Sequence, residues 1–213
     1  MDAEATAGDD RQESVRRFKR DLIRDAAKRV FSEKGIAGAS VREIAKAAGY
    51  TTGAIYTYFA TKEELYAAVL RDSLAALHAE VTTASPDGAV PGGRAEAALR
   101  ALWTFYDTRR SDFELGFYLY GGARPVGLTR DLDRELNAAL DAVMDHIGAG
   151  LVADGLASPE EAHHLAVTSA TWVFGLLLMT KTGRLRSLHE DAEALLTTYL
   201  ATLNPTMTRK DRP

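Results

Sequence analysis

The chain has 213 residues, 46% hydrophobic and 26% charged, a composition that fits an ordinary globular protein with one good core or a small domain beside a larger one. It has no cysteine, which excludes disulfides, thiol nucleophiles and thiolate metal sites and suits a reducing, cytoplasmic setting. The net charge of −4 conceals an asymmetry: residues 1–10 carry four acids and no base, residues 11–62 carry 12 Lys and Arg against 5 Asp and Glu, and residues 63–213 carry 14 against 21. A basic N-terminal quarter on an acidic body is the pattern of a small nucleic-acid-reading head on a larger domain, although a cluster of solvated surface charge has the same signature.

Met1-Asp2-Ala3-Glu4 has neither the basic nor the apolar part of a signal peptide, and residues 1–15 are polar enough to be expected as a disordered tail. Leu22, Ile23, Ala26, Ala27, Val30 and Phe31 then recur at helical spacing and predict the first helix, which breaks at Gly35 to Gly38. Ser40 with Glu43 is a capping box opening a short helix whose inner face is Val41, Ile44, Ala45 and Ala48. Gly49 supplies a tight turn, and Thr51 caps a second short helix anchored by Ala54, Ile55 and Phe59. Further boxes stand at Thr61 and Glu64, Ser111 and Glu114, Ser158 and Glu161, and Ser187 and Glu190, with Pro159 at a first helical position.

Between these starts run four more apolar stripes, through Leu70 to Val81, Leu99 to Tyr106, Leu136 to Leu151 and Ala192 to Leu203. Breaks fall at Pro86 to Gly93, Gly121 to Gly127, Gly155 and Gly183, and Asn204-Pro205 ends the last helix, leaving 206–213 as a tail. Strand signals are nearly absent, so an all-α protein of about nine helices is expected. The stretch from Leu165 to Thr180 is uncharged but short, and Thr168, Ser169 and Thr171 interrupt it, so no membrane span is expected. It is apolar around most of its circumference and needs cover on several sides, from its own subunit or from a second copy.

Residues 40–65 form two short helices joined by a glycine turn, a helix-turn-helix whose second helix fits a DNA major groove. Thr52, Gly53 and Thr57 give that helix a slim, hydrogen-bonding front. Tyr56 and Tyr58 offer hydroxyls to phosphates or pack between helices. Lys62 opens the next helix, where backbone N–H groups also favour an anion. Arg16, Arg17, Lys19 and Arg20 are either an arm along a groove or a solvated basic run.

The segment resembles the helix-turn-helix of the tetracycline-repressor (TetR) family, whose pattern is T-x-x-x-I-A-x-x-A-G-x-S-x-G-x-x-Y-x-Y-F-x-x-K-x-x-L. The match runs through Ile44-Ala45, Ala48-Gly49, Gly53, Tyr56, Tyr58-Phe59, Lys62 and Leu65, with Ser40 and Thr51 replacing the usual Thr and Ser. The resemblance covers roughly residues 16–70 and implies a three-helix DNA-binding domain at 16–62 and a ligand-binding and dimerisation domain at 63–205. By the same resemblance Arg42, Thr52, Gly53 and Thr57 meet base edges, Ser40, Tyr56, Tyr58 and Lys62 hold phosphates, and Thr51, which caps the reading helix, belongs to the same DNA-binding set. Thr52 departs from the pattern, standing where Lys is common.

The resemblance further implies a homodimer through the last two long helices, two reading heads roughly 34 Å apart on double-stranded operator DNA, and a small-molecule inducer held in the body. Trp103, Tyr106, Phe113, Phe117, Tyr120 and Trp172 are the candidate pocket rings, and Arg124 is either a holder for an anionic ligand group or, more commonly for such a residue, a surface arginine; aromatics at helical spacing also serve as plain core. No cofactor, metal site or enzymatic activity is expected. Gly148 to Ala153 matches a loose dinucleotide pattern without a preceding strand, and His163 and His164 point about 100° apart on a helix. A helical small-molecule-binding or interaction protein without DNA reading is the alternative.

Overall fold

Ten helices and no strand account for the regular structure of the described residues, 2–88, 93–117 and 128–203, of the computed structural model. They are α1 (Asp2–Gly38), α2 (Val41–Ala48), α3 (Thr52–Tyr56), α4 (Lys62–Ala84), α5 (Arg94–Thr108), α6 (Arg110–Gly116), α7 (Arg130–Ala153), α8 (Ala162–Lys181), α9 (Arg184–Ser187) and α10 (Ala192–Leu203). The four-residue α9 is a helix that apolar periodicity does not announce. The expected tail at 206–213 and the stop at Asn204-Pro205 lie outside the described residues.

Two compact units emerge, Met1–Ser73 with Ser111–Leu136 and Leu74–Arg110 with Asn137–Pro213. The boundary expected after residue 62 therefore moves into α4, and a later segment joins the N-terminal unit. The cause is burial: Leu65 to Leu70 at the front of α4 are all buried, and the Tyr66 hydroxyl donates to the Leu115 carbonyl at 2.7 Å.

In the first unit α1 contributes Ile23, Ala26, Ala27, Val30 and Phe31 to the core, and the Phe31 ring meets Tyr66 edge-on at 5.0 Å. Leu22, expected on the same face, is 38% exposed. Residues 2–15 are helical where a disordered tail was expected. Ala3, Glu4, Ala5, Ala7, Arg11, Gln12 and Glu13 are strong helix formers, and no proline interrupts them. The glycine break appears as a kink inside α1 at Gly35, with φ 66°. Lys28 binds both oxygens of Asp112, at 2.8 and 2.9 Å, compensating a carboxylate that is only 3% exposed.

In the second unit α8 packs on α5 and α10. Its length and composition would allow it to cross a membrane, but Ala166, Ser169, Ala170, Val173 and Leu177 are buried within this unit. Arg100 on α5 reaches Glu193 at 2.7 Å and Thr197 at 3.2 Å on α10. The start of α5 is capped from elsewhere in the chain: Asp154 accepts from the N–H groups of Arg94 at 3.0 Å and Ala95 at 2.8 Å. A Cβ at Gly93 would stand 2.7 Å from the Asp154 carboxylate, so glycine admits the cap. Asp154→Ala leaves those part-buried donors without an acceptor and is expected to cost about 1–3 kcal/mol, read from the shift of the urea midpoint at constant m.

The capping boxes separate into kinds. Ser40 with Glu43 closes fully, and the Thr61 hydroxyl accepts from the Glu64 N–H at 3.0 Å. The Ser158 hydroxyl donates to Glu161 at 2.8 Å, but in a turn ahead of α8, so Pro159 precedes the helix and does not begin it. Ser111 lies inside α6, which already runs from Arg110. Ser187 ends α9, and Asp191 caps α10 instead by accepting from the Ala194 N–H at 2.9 Å.

Candidate nucleic-acid interface

Helix α2 is fixed at both ends by local chemistry. At its start the Ser40 hydroxyl accepts from the Glu43 N–H at 3.3 Å and donates to the Glu43 carboxylate at 2.8 Å, while the Ser40 N–H donates to that same carboxylate at 3.1 Å. At its end Gly49 takes φ 74°, and the Tyr50 N–H returns to the Ala45 carbonyl at 2.9 Å. This is a left-handed turn that a side-chain-bearing residue would adopt only with strain. Thr51 then accepts from the Ala54 N–H at 3.2 Å and starts α3.

Lys34 and Ser40 together hold the Glu43 carboxyl down to about 2 from an ordinary 4.5, the Lys34 hydrogen bond being the larger cause. The ionised form is thus favoured in the folded chain, and the associated stability is present above about pH 4.5 and is lost as pH falls toward 2. The unfolding midpoints of the parent chain and Glu43→Gln are expected to differ near neutral pH and to converge as the solution is acidified through that window.

Ile55 and Phe59, each 1% exposed, pin α3 to the core. Its opposite side is open: Thr52, Gly53 and Thr57 are exposed, and Tyr56 is 52% exposed. The Thr57 hydroxyl donates to the Gly53 carbonyl at 3.3 Å. A Cβ at Gly53 would meet nothing within 4 Å, so no contact within the described residues requires glycine there. Arg42 is exposed on α2, and Tyr58 is half-buried. The candidate base-reading residues Arg42, Thr52, Gly53 and Thr57 are therefore all accessible.

Two of the expected phosphate holders are engaged elsewhere. The Ser40 hydroxyl proton is committed to Glu43. The Lys62 ammonium donates to the carbonyls of Ile36 at 2.6 Å and Ala39 at 3.0 Å. Carbonyls at a helix C-terminus carry partial negative charge, so α1 itself supplies the anionic partner expected from DNA. Lys62 ties the end of α1 to the start of α4. A further cation packs on the anchor of this segment: the Arg20 guanidinium lies over the Phe59 ring at 4.9 Å.

The candidate pocket rings are packed. In the second unit Trp103 and Tyr106 are buried, Tyr106 meets Phe105 and Phe174 edge-on at 5.1 and 5.8 Å, and Trp172 stacks on Tyr199 at 4.1 Å with 7° between planes. In the first unit Phe113 is buried against Phe117 at 4.9 Å. Tyr120 and Arg124 lie outside the described residues. Sequence reasoning passed over Ser169 as a polar handle: it is wholly buried, and its hydroxyl has no hydrogen-bond partner among the described residues. No group of three or more His, Asp or Glu side chains placed to hold a metal ion occurs among the described residues.

Residues 23–69 match the profile of the family described as bacterial regulatory proteins, tetR family. The regulator AcrR of Shigella flexneri is 48% identical over 50 residues, covering 24% of this chain and 23% of that protein. The chain aligns with 23 to 40% of the length of the first curated relatives it resembles. Among solved structures, the fatty acid degradation regulator FadR of Bacillus halodurans is 17% identical with a TM-score of 0.66, over 89% of this chain and 96% of its own. FadR of Bacillus subtilis in complex with stearoyl-CoA is 21% identical with a TM-score of 0.63, over 85% of this chain and 96% of its own. At such identities these likenesses carry the fold, and that fold joins an N-terminal domain whose motif is already specific from Ser40 to Leu65. The tetR-family match covers residues 23–69 of this chain, and what the chain as a whole shares with these solved regulators is the fold.

Proposed function

We propose that this chain is a dimeric, non-enzymatic transcriptional repressor of the cytoplasm that binds an operator in double-stranded DNA and is released from it by a small molecule. The observation that carries this reading is the outward side of α3: a capped helix, pinned by Ile55 and Phe59, that shows only Thr52, Gly53, Tyr56 and Thr57 to solvent. Such a surface is slim enough to enter a major groove and offers hydroxyls for base edges and phosphates.

Dimerisation is supported by α8, whose solvent side carries His164, Val167, Thr168, Thr171, Gly175, Leu178 and Thr182 in a continuous stripe. Val167 and Leu178 are 40 and 44% exposed, and the three threonine hydroxyls donate to carbonyls of their own helix. A second copy covering this stripe would strand none of those donors. A ligand is supported by the ring-rich helices, by the unpartnered Ser169 hydroxyl and by the stearoyl-CoA in a protein of the same fold.

The test is selection of duplexes from a random library of about 40 base pairs, long enough for two half-sites one or two helical turns apart, followed by gel shifts at several salt concentrations. Stearoyl-CoA is the first ligand probe. A selected sequence bound in a salt-dependent manner, and released by a ligand that raises the melting temperature, is the expected outcome. A folded dimer that shifts no duplex at low salt is instead the helical ligand-binding protein without DNA reading.

A further inference from the structure

Helix α1 begins well before Ile23, the first buried residue among its described side chains. Residues 11–20 carry five cations, Arg11, Arg16, Arg17, Lys19 and Arg20, against one acid, Glu13. Residues 11–18 are exposed throughout, and among the described residues none of the five cations is ion-paired. Arg24, one turn further on, is paired by contrast, held by Asp21 and Asp72 at 2.7 Å each.

The placement of this segment is set by Arg20. Its guanidinium rests on Phe59, in the link that leaves α3, so this turn of α1 adjoins the candidate reading helix. Arg16 precedes Arg20 by four residues, which puts it about one helical turn further out on the same side, with Arg17 beside it. A projecting helix is marginal in water, and its basic stretch 11–20, which follows the four acids of residues 1–10, gains most from a partner that compensates its charge. Duplex DNA, one phosphate charge per roughly 1.7 Å of axis, is such a partner.

We infer that the basic stretch 11–20 of α1 is a second DNA-contacting surface, in which Arg16 and Arg17 hold the phosphate backbone flanking the segment read by α3. The inference rests on the proposed DNA-binding function. The contact is to backbone, so it lengthens the footprint and steepens the salt dependence without changing which bases are preferred.

The experiment compares the full chain with Arg16→Ala/Arg17→Ala on the duplex that the full chain selects, once with about ten base pairs of extra flank on each side and once trimmed flush. The double variant is expected to lower the salt slope of log Kd by about two per reading head on the flanked duplex, because each phosphate contact contributes about one. Trimming is expected to weaken binding of the full chain but not of the variant, and hydroxyl-radical protection of the flank is expected to vanish in the variant. Equal slopes and equal flank protection would overturn the inference while leaving the α3 reading intact. The same holds if the variant changes only the oligomeric state, which would make this helix a contact between copies. Absence of any shift by the full chain overturns the parent reading as well, and circular dichroism showing equal helix content in both chains separates a lost contact from a lost helix.

Discussion

Replacing Lys62 by methionine is expected to lower the unfolding free energy by about 2–3 kcal/mol and to leave the salt slope of DNA binding unchanged. The ammonium donates to the Ile36 and Ala39 carbonyls, both at the end of α1. Methionine keeps most of the stem and removes both donors, leaving two part-buried acceptors unsatisfied; charge-assisted bonds of this kind contribute about 1.5–3 kcal/mol each before relaxation and solvent access reduce the loss. For a chain of this size the corresponding fall in Tm is about 4–12 °C. DNA affinity should fall as well, because α3 lies in the stretch of chain between the two helix ends that Lys62 ties together, but the fall should be the same at low and high salt. A phosphate-holding Lys62 gives the opposite pair of results, near-normal stability and a slope lower by about one per reading head. Thermal unfolding together with a salt titration, at a temperature where both chains are folded, distinguishes them.

The Lys62 case shows where sequence reasoning stops. Lysine at the start of a helix beside a helix-turn-helix has the right charge for a phosphate, and nothing within a few residues of it reveals the carbonyls of residues 36 and 39. The contacts of Lys28 with Asp112 and of Tyr66 with Leu115 join residues 84 and 49 positions apart and are illegible for the same reason, so the boundary of the first unit could not be placed from the chain alone. Local chemistry was legible. Ser40 with Glu43, Gly49 and Thr51 each act on backbone groups within a few residues, and together they delimit α2 and α3 closely.

The same spacing misleads where a better cap competes. Asp191 displaces the box beginning at Ser187, and the helix that already includes Arg110 leaves Ser111 no terminus to cap. The aromatic residues are the least informative. A ring that lines a pocket and a ring that fills a core occupy the same helical positions, and the observed pairs Phe113 with Phe117 and Trp172 with Tyr199 satisfy the packing reading fully. Ser169 is more diagnostic than any of them, since a buried hydroxyl without a partner is the exception in a core while a buried ring is the rule.

Gly53→Ala is expected to move stability and DNA binding in opposite directions. Gly53 sits inside α3 without positive φ, and an added Cβ meets no atom within 4 Å. Glycine in a helix interior costs about 0.5–1 kcal/mol relative to alanine, so within the isolated chain the substitution is stabilising by about that amount. On the proposed DNA-binding reading, the outward side of α3, next to Thr52 and one turn from Thr57, is approached closely by a groove wall, which a methyl group would hold off. Loss of one or two close contacts of about 1.4 kcal/mol reduces affinity for the selected duplex on the order of tenfold to a hundredfold. Random duplex should be bound nearly as before, because backbone contacts dominate there. The check is a denaturant midpoint alongside gel shifts on selected and random duplexes. A more stable protein with unaltered selectivity would mean that α3 does not enter the groove by this side, and with that result the assignment of Thr52 and Thr57 to base edges would go as well.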